Sequence, residues 1–344
     1  MNMLAKLIVA GALPAFATAA SAQTLPVEKL AQAETVKLSF ASQTVVSLPL
    51  MVALEKGYFE KAGINVEFRD VKGSLVAELP MLARGDVDVS AQSAVPALYN
   101  QFEQGFGVRL VASLGTARPD RLQTLWLTVL KEKASAVKNY VDLRGLSVEA
   151  GVPGSPLDII VLEALRAGNL RESDVKIERR LRSNSDFIPL INSKTSDVFA
   201  TNEPQASILE KQGVVVKWKS YDEVVPWYPR TSLAMSEAFL TKRADVATKF
   251  LEVYLAACDE LNRLEGNWTD EVAGIAAKYL AVPIDEVKSA GKIPYYDPAG
   301  KLDPAAFDQA QKLWVSRNLV KQAVDINQML ETKLAAAAAA KLGK

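Results

Sequence analysis

Apolar and polar positions alternate with period two in six short runs, and the runs fall into two matching sets. ValLysLeuSerPhe opens at Val36, ValGluPhe at Val66 and ValAspValSer at Val87. LeuSerValGlu opens at Leu146, ValLysIleGlu at Val175 and AspValPheAla at Asp197. The spacings are 30 and 21 residues in the first set (66−36, 87−66) and 29 and 22 in the second (175−146, 197−175). Stretches of helical period lie between the runs, so each set predicts β-α-β-α-β with parallel strands. Two such units in one chain predict an α/β fold of two lobes with a cleft between them, each lobe a mainly parallel sheet flanked by helices. In open parallel sheets a ligand sits beyond the carboxyl ends of the strands.

Start and stop signals place the helices. One is expected from about Ser47, Leu48 and Pro49 to Gly57, a second over about 76–83, and a third over about 94–104 with Ser93 as its cap. A fourth follows Ser155 and Pro156 and stops at Gly168, with Leu157, Ile160, Val161, Ala164 and Leu165 on one stripe. Residues 116–121 and 225–230 are two Pro-containing crossings. The strand at 125–130 is expected to enter lobe two, and ThrSerLeuAlaMet at 231–235 to return to lobe one. Lobe one is then 35–118 with 229–334, and lobe two is 119–228. The alanine run at 335–340 reads as a fraying helix in a C-terminal tail, 335–344. Two crossings restrict the lobes to opening and closing.

Composition narrows the chemistry. Apolar residues make up 49% of the 344, enough for a large core, and 40 basic residues balance 40 acidic ones, so no basic stripe supports nucleic-acid binding. The chain has no His, which excludes Ser-His-Asp and Cys-His catalysis and imidazole-based zinc sites. Its single Cys258 lies in a helical run and reads as a small buried hydrophobe. P-loop, GxGxxG, HExxH and CxxC patterns are absent, and no cofactor or metal is expected. Lys6, an apolar stretch over 7–20 and Ala20-Ser21-Ala22 read as a secretory signal peptide, residues 1–22, cleaved after Ala22. The mature protein is expected to be soluble, exported and monomeric.

Four polar junctions at strand ends are the candidate ligand contacts: Gln43 through Ser47, Gln92 with Ser93, Gly154 with Ser155, and Asn202 with Glu203. Free N–H groups at a helix start favour an anion, although any helix needs a cap and a Ser there is often only that. In the crossings, Thr116, Arg118, Trp227 and Arg230 are further candidates. An Arg there can clamp a carboxylate or sulfonate, or serve as a loop charge in an ion pair. Trp227 and Tyr228 can stack on a ring or pack the hinge. Asp86 and Asp88 alternate with Val87 and Val89 and read as turn and strand-edge residues, not as an acid/base pair.

These residues carry a resemblance. LeuProLeuMetValAlaLeuGluLysGlyTyrPheGluLysAlaGlyIleAsnValGluPhe, from Leu48, resembles the opening of the nitrate/sulfonate/taurine-type periplasmic solute-binding proteins of ABC importers, a family that includes binders of thiamine-pyrimidine precursors. LeuAlaArgGlyAspValAspValSer from Leu82, AspLeuArgGlyLeuSerVal from Asp142 and AsnGluPro from Asn202 are similar to its later signatures, as is the segment near Asp297. The resemblance covers about 36–330. It implies a type II periplasmic binding fold that closes on a small-molecule ligand and presents it to a membrane permease. It also implies pocket loops at Gln43, Ser47, Gln92, Ser93, the Gly154–Ser155 turn, Asn202 and Glu203. Gln205 stands where the family often has an aromatic, and AsnSerLysThrSer before Asp197 replaces a usual glycine. The expected ligand is a small organic anion, a carboxylate or sulfonate that can be aromatic. Glu203 keeps a cationic or pyrimidine-type ligand open. Docking to a receptor instead of a permease, and a non-transport enzyme on the same fold, are the alternatives.

Overall fold

The computed structural model describes residues 25–40, 44–69, 75–115, 118, 120–181, 184–229 and 231–344. The stretch read as a signal peptide lies outside them, as do Gln43, Thr116 and Arg230.

Two five-stranded sheets form the framework. The first is built from β1 (Glu34–Phe40), β2 (Ile64–Phe68), β3 (Val89–Ser93), β4 (Val108–Ser113) and β10 (Thr231–Ser236), in the order β2-β1-β3-β10-β4. The second holds β5 (Leu125–Leu130), β6 (Ser147–Glu149), β7 (Lys176–Glu178), β8 (Val198–Asn202) and β9 (Val215–Ser220), in the order β7-β6-β8-β5-β9. Strands β1, β2 and β3 are parallel, as are β6, β7 and β8. In each sheet one strand runs against its neighbours: β10 between β3 and β4, and β5 between β8 and β9. The repeat in the sequence is therefore a repeat of sheet order. Each lobe is thus an α/β unit with a mainly parallel sheet, as expected.

The helices follow from patterning and punctuation. Helix α1 (Leu48–Glu55) carries Pro49 in its first turn, and the chain turns off it at Gly57, whose φ of 65° suits a residue without a Cβ. Helix α2 (Leu75–Arg84) leads into β3, and α3 (Pro96–Glu103) leaves it. Helix α4 (Pro156–Ala167) follows β6, and α5 (Gln205–Lys211) follows β8. The 20-residue α6 (Ala244–Arg263) buries Val246, Phe250, Val253, Tyr254, Ala257 and Leu261, a three-to-four-residue stripe. Phe250 stacks on Phe59 at 4.6 Å between centroids. Burying each such side chain stabilises the fold by roughly 1.5–3 kcal/mol. Cys258 sits fully buried on the same helix, and burial pushes its thiol up to about 12, which suppresses the reactive thiolate.

Helices α7 (Ile284–Ser289) and α8 (Pro304–Ser316) precede α9 (Lys333–Lys341), which corrects the expectation of a fraying tail. Ala335, Ala338 and Ala339 are buried against α6, and Lys341 pairs with Glu252 at 2.7 Å. Small side chains let the two helix backbones come close, so the alanine run is a packing face.

Candidate functional site

On the first sheet, Ser47 is buried at the start of α1, but its side chain makes no capping bond there. Ser93 does not cap a helix as expected. It stays in β3, paired with Thr231, because the helix starts three residues later at Pro96, whose fixed φ suits a first turn.

Gln92 leads to a residue that the sequence reading missed. Its Nε2 donates to Glu78 Oε2 at 2.6 Å and to Ser90 Oγ at 2.8 Å. Ser90 and Ser39 donate to the other oxygen of the same carboxylate. All four residues are fully buried. Among the described residues, no Lys or Arg pairs with Glu78, so three neutral donors carry the whole compensation. Burial pushes its carboxyl up to about 7, against the partial offset of Ser90 and Gln92. The available signal was a lone carboxylate four residues before Leu82, on the buried stripe of α2, facing polar positions spaced two apart on β3.

This carboxyl sets a pH dependence. In the unfolded chain its pKa is 4.5, and in the folded protein about 7, so folding is coupled to holding a proton. The stabilising contribution is complete below pH 4.5, falls as pH rises towards 7, and is gone above that. A displacement of this size corresponds to on the order of 3 kcal/mol. Glu78→Gln keeps the shape and removes the charge. Its stability relative to wild type should therefore improve by up to about that amount between pH 4.5 and 8 in urea titrations. An identical difference at both pH values would rule this out.

On the second sheet, β6 runs into a turn in which Gly151 and Gly154 have φ of 66° and 75°. Ser155 caps α4, accepting from the Asp158 amide at 3.3 Å, and Pro156 takes the first helical position. Asp158 is fully buried, accepts from the Gly154 amide at 2.7 Å and pairs with Arg179 at 2.6 Å. The turn is thus fixed from behind, and its front meets the other lobe. A methyl group built on Gly154 would lie 2.4 Å from Pro96 Cγ and close to Leu319.

Asn202 ends β8 opposite Leu125. Glu203 is placed differently from the expectation of a ligand-facing carboxylate. It is buried, 2.8 Å from Lys217 Nζ, and accepts from the Ser207 amide at 3.0 Å. Lys217 in turn lies over the Trp126 ring at 5.2 Å. Arg118 stacks on Tyr295 at 4.6 Å and holds Asp120 through two hydrogen bonds of 2.9 Å. Trp227 is half-buried with its ring edge on Tyr228, and the buried Tyr228 hydroxyl donates to the Ala94 carbonyl just beyond β3. Asp88 accepts from the Lys37 amide and Asp86 pairs with Arg84, the edge roles read for them.

The residues just beyond β3 (Ala94 and Pro96), the Gly154 turn and Tyr228 therefore come together at one place between the lobes. On either side of it the lobes touch, through α7 against α5 and through Arg317 with Glu172 at 2.6 Å. Among the described residues, no grouping of three or more His, Cys, Asp or Glu could hold a metal ion, and no helix is long and apolar enough to cross a membrane.

A family model described as NMT1/THI5 like matches residues 44–262. A curated Bacillus subtilis (strain 168) protein, "Putative binding protein YtlA", is 25% identical over 237 residues, which is 64% of this chain and 64% of that protein. The match thus spans just under two thirds of that relative's length. The fold is similar to the periplasmic aliphatic sulphonate binding protein SsuA from Escherichia coli, with TM-score 0.68 and 19% identity over 87% of this chain and 92% of that one. It is similar to the periplasmic nitrate-binding protein NrtA from Synechocystis PCC 6803, with TM-score 0.68 and 15% identity over 90% and 89%. The desulfurization enzyme DSZB shares it too, with TM-score 0.65 and 14% identity over 90% and 99%.

Proposed function

The chain belongs to the NMT1/THI5-like family, and we propose that it is the exported solute-binding component of an ABC importer, closing on a small organic anion and delivering it to an inner-membrane permease. The observation that carries this reading is the meeting of the two lobes at the strand ends, where Gly154 of one lobe abuts Pro96 of the other. A gap closed by backbone and small side chains suits capture and release. The sulphonate and nitrate ligands in the names of SsuA and NrtA support an anion. So does the start of α4, whose positive end lies beside the same gap, although Asp158 offsets part of it. The pairing of Glu203 with Lys217 weighs against a cationic ligand held by that carboxylate.

The test is a thermal-shift panel of small carboxylates and sulfonates, aliphatic and aromatic, on the protein from residue 23. A true ligand at a hundredfold over its Kd adds about 2.7 kcal/mol, a rise of several degrees. No rise with any anion, together with a clear one for a cationic compound, would overturn the reading. Mass spectrometry of the recovered ligand checks for turnover: an unaltered mass fits a binding protein, and a changed one fits an enzyme on this fold.

A further inference from the structure

We propose that lobe two carries a second small-molecule site, outside the space between the lobes, that takes a flat aromatic anion. The site is a cavity of about 310 Å³ between β9 and the turns that follow β5. Its apolar part is supplied by Val129 and Val137, which are buried, and by the half-buried Val216. Trp218 lines it too, backed by the Tyr140 ring at 5.5 Å between centroids. Lys138 and Lys219 complete the lining, which contains no Asp or Glu.

The course of β9 explains this combination. In a regular strand consecutive residues face opposite sides, yet Trp218 and Lys219 line the same cavity. The register of β5 against β9 slips here: Leu127 pairs with Lys219 and Thr128 with Lys217, so Trp218 has no opposite number. Such an extra residue re-aims side chains and is over-represented at sheet edges and beside active sites. β9 is the edge strand of its sheet.

The occupant follows from the lining. A ring against Trp218 and the valines gains stacking and burial, and an acid group on that ring meets two ammonium groups. Lys219 also meets Glu223 at 3.3 Å, and Lys138 donates to the Ala134 carbonyl at 3.3 Å. Both are exposed contacts, weak enough for a bound anion to displace. Asp142 is engaged by the amides of Lys138 and Asn139. The volume stands at the lower end of the range for small-molecule pockets, which suits one or two fused rings. Every lining residue falls within 129–138 or 216–219, all in lobe two. Val129 pairs with Val198 at the start of β8, and Asn202 ends that strand roughly 13 Å further along. The site is therefore indifferent to opening and closing, and filling it leaves the affinity between the lobes unchanged.

Indole-3-acetate and its uncharged amide, indole-3-acetamide, test it as a matched pair. The readout is NMR of protein labelled at its five tryptophans, in which Trp218→Phe identifies the Trp218 signal by its loss. In wild type that signal should move saturably with the acid, with a Kd at or below about 1 mM, and about fivefold or more weakly with the amide. Lys138→Gln combined with Lys219→Gln should reduce this preference to about twofold or less. Gly154→Ala, which perturbs the contact between the lobes, should leave the Kd read at Trp218 within about twofold of wild type. A Trp218 signal that stays still while another tryptophan responds would place the acid elsewhere and overturn the inference. Equal affinity for acid and amide, or a preference that survives loss of both lysines, would overturn it as well. Each of these results leaves the proposed function standing, and failure of the anion panel above leaves this site standing.

Discussion

Replacing Gly154 by alanine should weaken ligand binding by about thirtyfold or more, while the ligand-free protein loses only about 1 kcal/mol of stability. Two costs act, and they fall on different states. The φ of 75° is unfavourable for any side chain in the open and the closed protein alike. The added methyl group would also sit 2.4 Å from Pro96 Cγ, a contact between the lobes that matters only when they close. The proline ring is rigid, so the lobes must back away from one another, and about 2 kcal/mol of lost closure gives the thirtyfold. Calorimetry measures the affinity and urea titration the stability. Pairing Gly154→Ala with Pro96→Ala should recover much of the binding. Unchanged affinity in the single variant, or a stability loss as large as the binding loss, would mean that the turn has no part in closure.

The second large effect concerns stability alone. Lys217→Met should cost about 3 kcal/mol or more, because it strips the cation from a buried carboxylate and leaves Glu203 uncompensated. Burial already raises the Glu203 carboxyl against the pull of Lys217. Without Lys217 that carboxyl should hold its proton to higher pH, so the loss should grow as pH rises. The double variant Glu203→Gln with Lys217→Met should recover most of it, since removing both charges is far cheaper than removing one. Urea titrations at pH 5 and pH 8 test this. A loss below about 1 kcal/mol would mean that the pair behaves like a surface ion pair. Ligand affinity should stay within about twofold of wild type, because Glu203 is engaged inside its own lobe.

The two examples mark what a one-dimensional reading reaches. The repeated strand spacing and the Gly154-Ser155-Pro156 turn were legible, since alternation and turn chemistry are local properties. The strand partners β10 and β5 were expected as returns between lobes, and their antiparallel placement beside β3 and β8 required the sheet. Glu203 looked like a ligand group because it follows a strand end, and its engagement by Lys217 depends on β9 packing beside α5. Glu78 was hidden because patterning averages over a helix face, and one acid on an apolar stripe leaves the period intact. Ser93 was read as a cap from its residue type, whereas Pro96 sets the helix start.

The exchange of antiparallel strands has a bearing on biogenesis. β10 fills a slot between β3 and β4, yet well over a hundred residues and the whole second sheet separate it from them along the chain. Until it arrives, β3 and β4 each present an unpaired edge. The first sheet therefore cannot complete itself before the second has been synthesised. The architecture that joins the two halves also postpones completion of the first until about two thirds of the chain, up to Ser236, is at hand.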